Sequence, residues 1–287
     1  MKATKKLPEA GSSPPVKQLL DEPETVTTID TEYGQLYNVA CLSDEEIWIT
    51  GNDNTMKLYS INQGSLLQCF TTKSWEWSFE IAVTKSGDLV YTDYRDRTVN
   101  IVKNGKIEEV IRLQNWIPSG VYSTSSGDLL VIMDNFDKPA KVVCYSGSTE
   151  KQTIQFDDKG KSLYSSVGFR RYITENRNQD ICVSEDGAKE IVVVNQAGKL
   201  RFRYTGHTPA PKNQPFNPLG ITTDSQSHIL TADVSNECVH IIDQDGQFLR
   251  YIDCELIYPY GLCTDTNDNL FVAQMSNSQV KKIKYMF

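Results

Sequence analysis

The segment SGDLVYTD at 86–93 is not alone in this chain. It returns as SGDLLVIMD (126–134) and, more loosely, as NQDICVSE (178–185), SQSHILTAD (225–233) and NDNLFVAQ (267–274), with a degenerate copy, DEEIWITG, at 44–51. The last letters of these copies are Gly51, Asp93, Asp134, Glu185, Asp233 and Gln274, so the successive gaps are 42, 41, 51, 48 and 41 residues. Short apolar runs repeating every ~40–50 residues are the signature of one four-stranded propeller blade per copy. Two inserts account for the longer gaps: FDDKGKSLYSS (156–166) and the proline-rich GHTPAPKNQPFNP (206–218).

Each copy has the same order of parts. A short segment such as Gly220-Ile-Thr-Thr-Asp224 comes first, followed by a polar turn and the apolar run. A loop, a second apolar strand such as Ile191-Val-Val-Val194, a glycine turn and a fourth strand such as Leu249-Arg-Tyr-Ile252 complete it. Short runs bounded by Gly, Asn and Asp turns mark an all-β repeat. The sixth copy ends at Phe287 after its third strand, while one spare strand, Thr25–Ile29, precedes the first copy. These facts predict a closed six-bladed β-propeller over 25–287, with the N-terminal strand completing the last blade and removing the exposed edges. Residues 1–24, with Ser12-Ser-Pro-Pro15, read as a flexible linker.

Charge and cysteine usage narrow the function classes. Lys plus Arg number 29 against 37 Asp plus Glu, a formal net charge of −8. That balance argues against bulk attraction to DNA or to an anionic membrane. The seven cysteines are scattered with no Cys-x-x-Cys pair, and no Asn-x-Ser/Thr sequon occurs. Nothing resembles a signal peptide or a spanning segment, so the expected setting is cytoplasmic.

The Pro-x-Gly segments Pro118-Ser-Gly120, Pro218-Leu-Gly220 and Pro259-Tyr-Gly261, with Asp about a dozen residues after the first two, resemble NHL repeats. Copies one, two and four carry Asn38, Glu80 and Tyr172 at the Gly position. Taken together the six copies resemble the C-terminal NHL propeller of TRIM-NHL proteins over residues 20–287. The resemblance implies a ring that selects a protein or RNA target for a ubiquitin ligase. The RING, B-box and coiled-coil parts of that family are not in this sequence.

The repeated Asp93, Asp134, Glu185 and Asp233 are expected to accept main-chain N–H bonds in their own loops. Gly160-Lys-Ser162 is not a phosphate loop, because the required leading Gly falls on Gln155. His207, His228 and His240 show no catalytic or metal-ligand spacing, and no cofactor or metal is expected. The resemblance places the ligand face where the inner strands start. It collects Tyr37, Phe79, Tyr94, Arg95, Arg97, Trp116, Arg170, Arg171, Tyr172 and Tyr260 there as partner-binding residues. Aromatics with arginines suit protein hot spots or stacking on unpaired bases. Acidic neighbours such as Glu80, Asp96, Asp186 and Glu237 favour the protein target over single-stranded RNA. The expectation is therefore a monomeric, non-catalytic recognition module. A metal-dependent propeller hydrolase is the further alternative; it would use Asn38 and Glu80 but lacks further aligned oxygen ligands.

Overall fold

The polar turn that opens the apolar run has one geometry in five of the six copies. Gly87 N–H donates to the Thr84 carbonyl at 2.9 Å, with Gly87 at φ 85°, a left-handed conformation natural for glycine. Gln179, Ser227 and Asp268 adopt the same conformation, at φ 66°, 68° and 66°, in the equivalent turns of later copies. The turn is thus set by its hydrogen bonds as much as by glycine, which is why the later copies are degenerate in sequence.

A computed structural model describes residues 17–168 and 170–287 of the chain. Its elements are twenty-four strands, running from β1 (Leu19–Asp30) to β24 (Gln279–Met286), in six four-stranded antiparallel sheets. The inner strands are β2 (Leu36–Cys41), β6 (Ile81–Val83), β10 (Ile117–Ser123), β14 (Arg171–Glu175), β18 (Pro218–Thr223) and β22 (Pro259–Thr264). These open blades 1 to 6, and the chain is a closed six-bladed propeller, as its repeats predict. No described helix is long and apolar enough to cross a membrane.

Ring closure follows the expected pairing but starts earlier. β1 pairs with β24 from Leu19↔Met286 through Thr25↔Ile283 to Ile29↔Val280 and Asp30↔Gln279. The closing strand therefore begins inside the span read as linker (1–24); residues 1–16 of that span lie outside the described residues. Register shifts between Leu19 and Glu24 accommodate Pro23, which cannot donate to a ladder.

The core lies between blades. Six apolar clusters occupy the six blade–blade interfaces. One joins Leu130, Ile132 and Val142 of blade 3 to Ile173, Val183 and Val192 of blade 4. Another joins Ile47 and Ile49 of blade 1 to Phe271, Ala273 and Val280 of blade 6. Middle strands are covered on both faces and are largely apolar, as in LLVIMD at Leu129–Asp134. Outer strands, covered on one side only, alternate or face water, as in Thr149–Ile154. Each fully buried Ile, Val or Leu contributes about 1.5–3 kcal/mol, so the interfaces hold the ring closed.

Of the carboxylates that end the second strands, Asp93, Glu185 and Asp233 accept main-chain N–H bonds from loops, whereas Asp134, expected to do the same, pairs with Arg171 instead. Asp93 accepts N–H bonds from Ser74 and Asp96, each at 3.1 Å, and Asp233 accepts from Asn217, Ser235 and Asn236 at 3.2, 3.2 and 3.3 Å. The equivalent Gln274 receives Ile257 N–H at 2.8 Å. These are loop anchors.

Candidate active site in the central channel

The position that is glycine in three copies carries Asn38, Glu80 and Tyr172 in the others, and the ring points all three at its axis. Glu80 is 5% exposed. Its Oε2 accepts Val121 N–H of blade 3 at 2.8 Å, and its Oε1 accepts Ile173 N–H of blade 4 at 3.4 Å. Inner strands have one unpaired edge facing the channel, and the Glu80 carboxyl takes up two of those donors. Burial nevertheless pushes this carboxyl well above the usual carboxylate range, against the pull of both N–H groups. Room for the group exists because residue 120 is glycine: a Cβ there would sit 2.7 Å from Glu80 Oε2.

Asn38 is also buried. Its Oδ1 accepts the N–H of Val39 at 2.8 Å, while its Nδ2 has no partner among the described residues. An unpaired buried amide costs about 1–3 kcal/mol, which a bound carbonyl or water would recover. Tyr172 spans the ring from blade 4 to blade 1, its hydroxyl donating to the Tyr37 carbonyl at 3.1 Å. Burial raises this phenol as well.

Tyr172 and Glu80 close the channel on the side where the inner strands start. Beneath them lies a cavity of about 190 Å³, lined by Asn38, Glu80, Val121, Tyr172, Thr174 and Thr222 among others. It continues, through shared walls at Cys41, Val83, Ser123, Thr223 and Thr264, into a vestibule of about 580 Å³ on the opposite face. Polar and charged groups rim that vestibule: Lys85, Glu175, Arg177 and Asp268. A route to the axis thus opens on the face opposite the one where the inner strands start.

The rim residues read from the sequence fall into separate groups. Tyr37 and Tyr260 pack ring to ring at 5.9 Å, and the Arg170 guanidinium lies 5.7 Å over Tyr260. Phe79 and Tyr94 form an edge contact at 5.1 Å with Trp77 beside them, and the Tyr94 hydroxyl reaches Glu76 at 3.3 Å. Arg95 and Arg97 are exposed. Trp116 is half-buried beneath the Lys141 ammonium, 4.7 Å from its ring. Tyr172 and Tyr260 are 7% and 5% exposed, so neither offers a broad contact face.

Arg171 departs from the reading altogether. Its side chain is 1% exposed, paired with Asp134 of blade 3 and with Glu185 at 2.7 Å. The same guanidinium bonds the carbonyls of Ser165, Val167 and Gly168. It cannot meet a partner, because strand alternation sends it inward while Arg170 faces out. Nor was the grouping of His240 with Asp233 and Cys238 expected: ligand atoms of the three lie within 4.8 Å of one another.

A divalent ion held in the channel by converging oxygens was the further alternative for Asn38 and Glu80. The donors do not fit one. Asn38 and Glu80 supply the side-chain oxygens at this level; three of the remaining ring positions are Gly120, Gly220 and Gly261, and the Tyr172 hydroxyl is directed to the Tyr37 carbonyl, so a full oxygen shell is not assembled.

No protein-family model and no curated protein matches the sequence. Solved structures do match in shape. A gluconolactonase from Xanthomonas campestris superposes with TM-score 0.70 at 12% identity, covering 94% of this chain and 98% of that one. A catalytically inactive virginiamycin B lyase from Staphylococcus aureus, solved with quinupristin, gives 0.63 at 17%, covering 88% and 82%. A protein of unknown function from Bacteroides thetaiotaomicron gives 0.70 at 13%, covering 92% and 73%. The likeness establishes the six-bladed propeller; nothing among these matches shows a TRIM-NHL family. It also corrects the expectation of a non-catalytic, protein-binding module. That expectation rested on the NHL resemblance and on the lack of catalytic spacing, and a similar fold is worn by a lyase and a gluconolactonase.

Proposed function

We propose that this propeller is an enzyme that opens a small cyclic ester inside its channel, with Glu80 as the general acid. The observation that carries the reading is the Glu80 carboxyl itself: buried at the blind end of a cavity, raised above the carboxylate range, and sharing that cavity with the unpaired Asn38 amide. Strongly shifted carboxyls in clefts are where proton transfer is performed at neutral pH.

In this reading substrate and water enter from the vestibule. Asn38 Nδ2–H donates to the ester carbonyl oxygen and polarises it. Water adds to the carbonyl carbon, the ring C–O bond breaks, and Glu80 gives its proton to the departing ring oxygen. The carboxylate then recovers a proton from the added water, so the products are one hydroxy acid and the starting enzyme. Lactones are the class to try because a gluconolactonase shares the fold. The Pro-x-Gly openings at Pro118, Pro218 and Pro259 belong to the same reading as an NHL-like ring carrying chemistry at its axis.

The test is a panel of lactones, D-glucono-1,5-lactone included, followed with a pH indicator in the presence of a chelator. Ring opening above the spontaneous rate is expected, with kcat reduced about 10²–10⁴-fold in Glu80→Gln, the range for loss of a general acid. Equal rates in Glu80→Gln and the native protein, or no turnover on the panel, would overturn the proposal.

A further inference from the structure

Far from the axis, beneath the proline-rich segment 206–218, three donors of different chemistry meet. Asp233 ends β19 (Ile229–Asp233), and Cys238 opens β20 (Cys238–Ile242) directly opposite it in the antiparallel ladder. His240 follows two residues later, so its side chain shares the face of Cys238. One carboxylate oxygen, the thiol sulfur and one imidazole nitrogen all lie within 4.8 Å of one another, and all three residues are 0% exposed.

The spacing suits a small tetrahedral ion. His240 Nε2 stands 3.1 Å from Asp233 Oδ2. Donors bonded at about 2.1 Å to a tetrahedral centre sit roughly 3.4 Å apart, with sulfur a little farther. Small outward movements would therefore admit the ion between them. Each donor is also held from behind. His240 Nδ1 is hydrogen-bonded to the Tyr204 hydroxyl at 2.8 Å, which leaves Nε2 to act as the ligand. Asp233 Oδ1 is fixed by three main-chain N–H groups, and Asn236 Nδ2–H reaches Oδ2 at 2.7 Å. Such outer partners orient the ligands of metal centres. A cavity roofed by Gly206, Thr208, Pro215 and Phe216 borders Asp233, Asn236 and His240, giving access to a fourth ligand.

We propose that Asp233, Cys238 and His240 bind one zinc ion, with a water from this cavity in the fourth position. The thiol selects zinc over calcium or magnesium, which prefer an all-oxygen shell. Binding replaces the Cys238 S–H by a thiolate–zinc bond and releases one proton to solvent. The imidazole binds as the neutral form. The site is separate from the channel and stands or falls independently of the lactone reading.

The test uses the full chain, stripped with a chelator and titrated with Zn²⁺ against a chromophoric competitor, and in parallel with Co²⁺ as a visible probe. One equivalent of zinc is expected, with tetrahedral cobalt absorption and a thiolate-to-cobalt charge-transfer band. Cys238→Ala should abolish that band, and Cys238→Ala and His240→Gln should each weaken zinc about 100-fold or more. If His240→Gln fails to fold, Cys238→Ala keeps the test open, since it replaces one small buried side chain by another. The native protein should also melt at a higher temperature with zinc than with chelator. Absence of binding at micromolar zinc, or stoichiometric zinc indifferent to both substitutions, would overturn the assignment.

Discussion

Replacing Arg171 by Met should be among the most damaging single changes available in this ring. The guanidinium pairs with two carboxylates from adjacent blades, Asp134 at 3% and Glu185 at 0% side-chain exposure, while being 1% exposed itself. Removing one partner of a buried ion pair costs about 3–5 kcal/mol, because the remaining charge is left in a poorly solvating site. Three loop carbonyls also lose their donor, but Val167 is 65% exposed, so water can replace it at this loop. The carboxylates therefore dominate, and about 4 kcal/mol is expected against a typical domain stability of about 5–15 kcal/mol. Arg171→Lys keeps the charge but not the planar fork, and should cost roughly half as much. The penalty must also depend on pH. Burial already raises the Asp134 carboxyl, and Arg171 is the main opposing influence. Without it the folded value moves further above the unfolded one, so the variant loses stability relative to the native protein as pH rises through that window. Urea unfolding at pH 4.5 and 7.5 measures both effects. The triple change Arg171→Met, Asp134→Asn, Glu185→Gln should recover most of the loss, since a neutral trio leaves no uncompensated charge. A penalty below about 1 kcal/mol at pH 7.5, or a triple variant no better than the single, would refute this account of the blade 3–blade 4 contact.

Two other expectations concern the ring as a whole. Deleting residues 1–32 removes β1, including the buried Ile29, and exposes the edge of β24, so the melting temperature should fall by on the order of 10 °C. Deleting 1–16 should leave it within about 2 °C, and equal melting of the two truncations would show that β1 does not close the last blade. Glu80→Gln should flatten the pH dependence of stability: the raised Glu80 carboxyl binds its proton more tightly when folded, so the native protein weakens as pH climbs from the ordinary carboxylate range through the raised value. Parallel melting curves for the two proteins between pH 4 and 8 would contradict it.

The ring was legible because a blade is a local object. Turn, strand, loop and strand recur within ~45 residues, and Gly87 or Asp93 does the same work in its copy as Ser227 or Asp233 in a later one. What failed to show were contacts made across blades. Arg171 looks like a rim arginine beside Arg170, yet its partners Asp134 and Glu185 lie 37 and 14 positions away with no local signature. The start of β1 was hidden by Pro23 and the acids around it, which read as linker until the β24 edge supplies the pairing. Cys238 and His240 show no ligand spacing in the sequence, because the alternation that puts them on one face counts only once Asp233 is placed opposite.

The channel shows why the degenerate copies matter most. Six equivalent strands meeting at an axis leave little volume, and the ring divides it unevenly between neighbours. A Cβ at residue 120 would fall 2.7 Å from Glu80 Oε2, and one at residue 261 would fall 2.6 Å from Asn38 Cα. Glycine in blade 3 is thus the condition for a carboxyl in blade 2, and glycine in blade 6 is the condition for an amide in blade 1. Where the repeat keeps its Pro-x-Gly opening it contributes space; where it departs from it, it contributes a functional group. A ring of six faithful copies would be a symmetric tube with nothing at its centre to move a proton. The substitutions that weaken the repeat signal at Asn38, Glu80 and Tyr172 are the ones that place an amide, a carboxyl and a phenol on the axis.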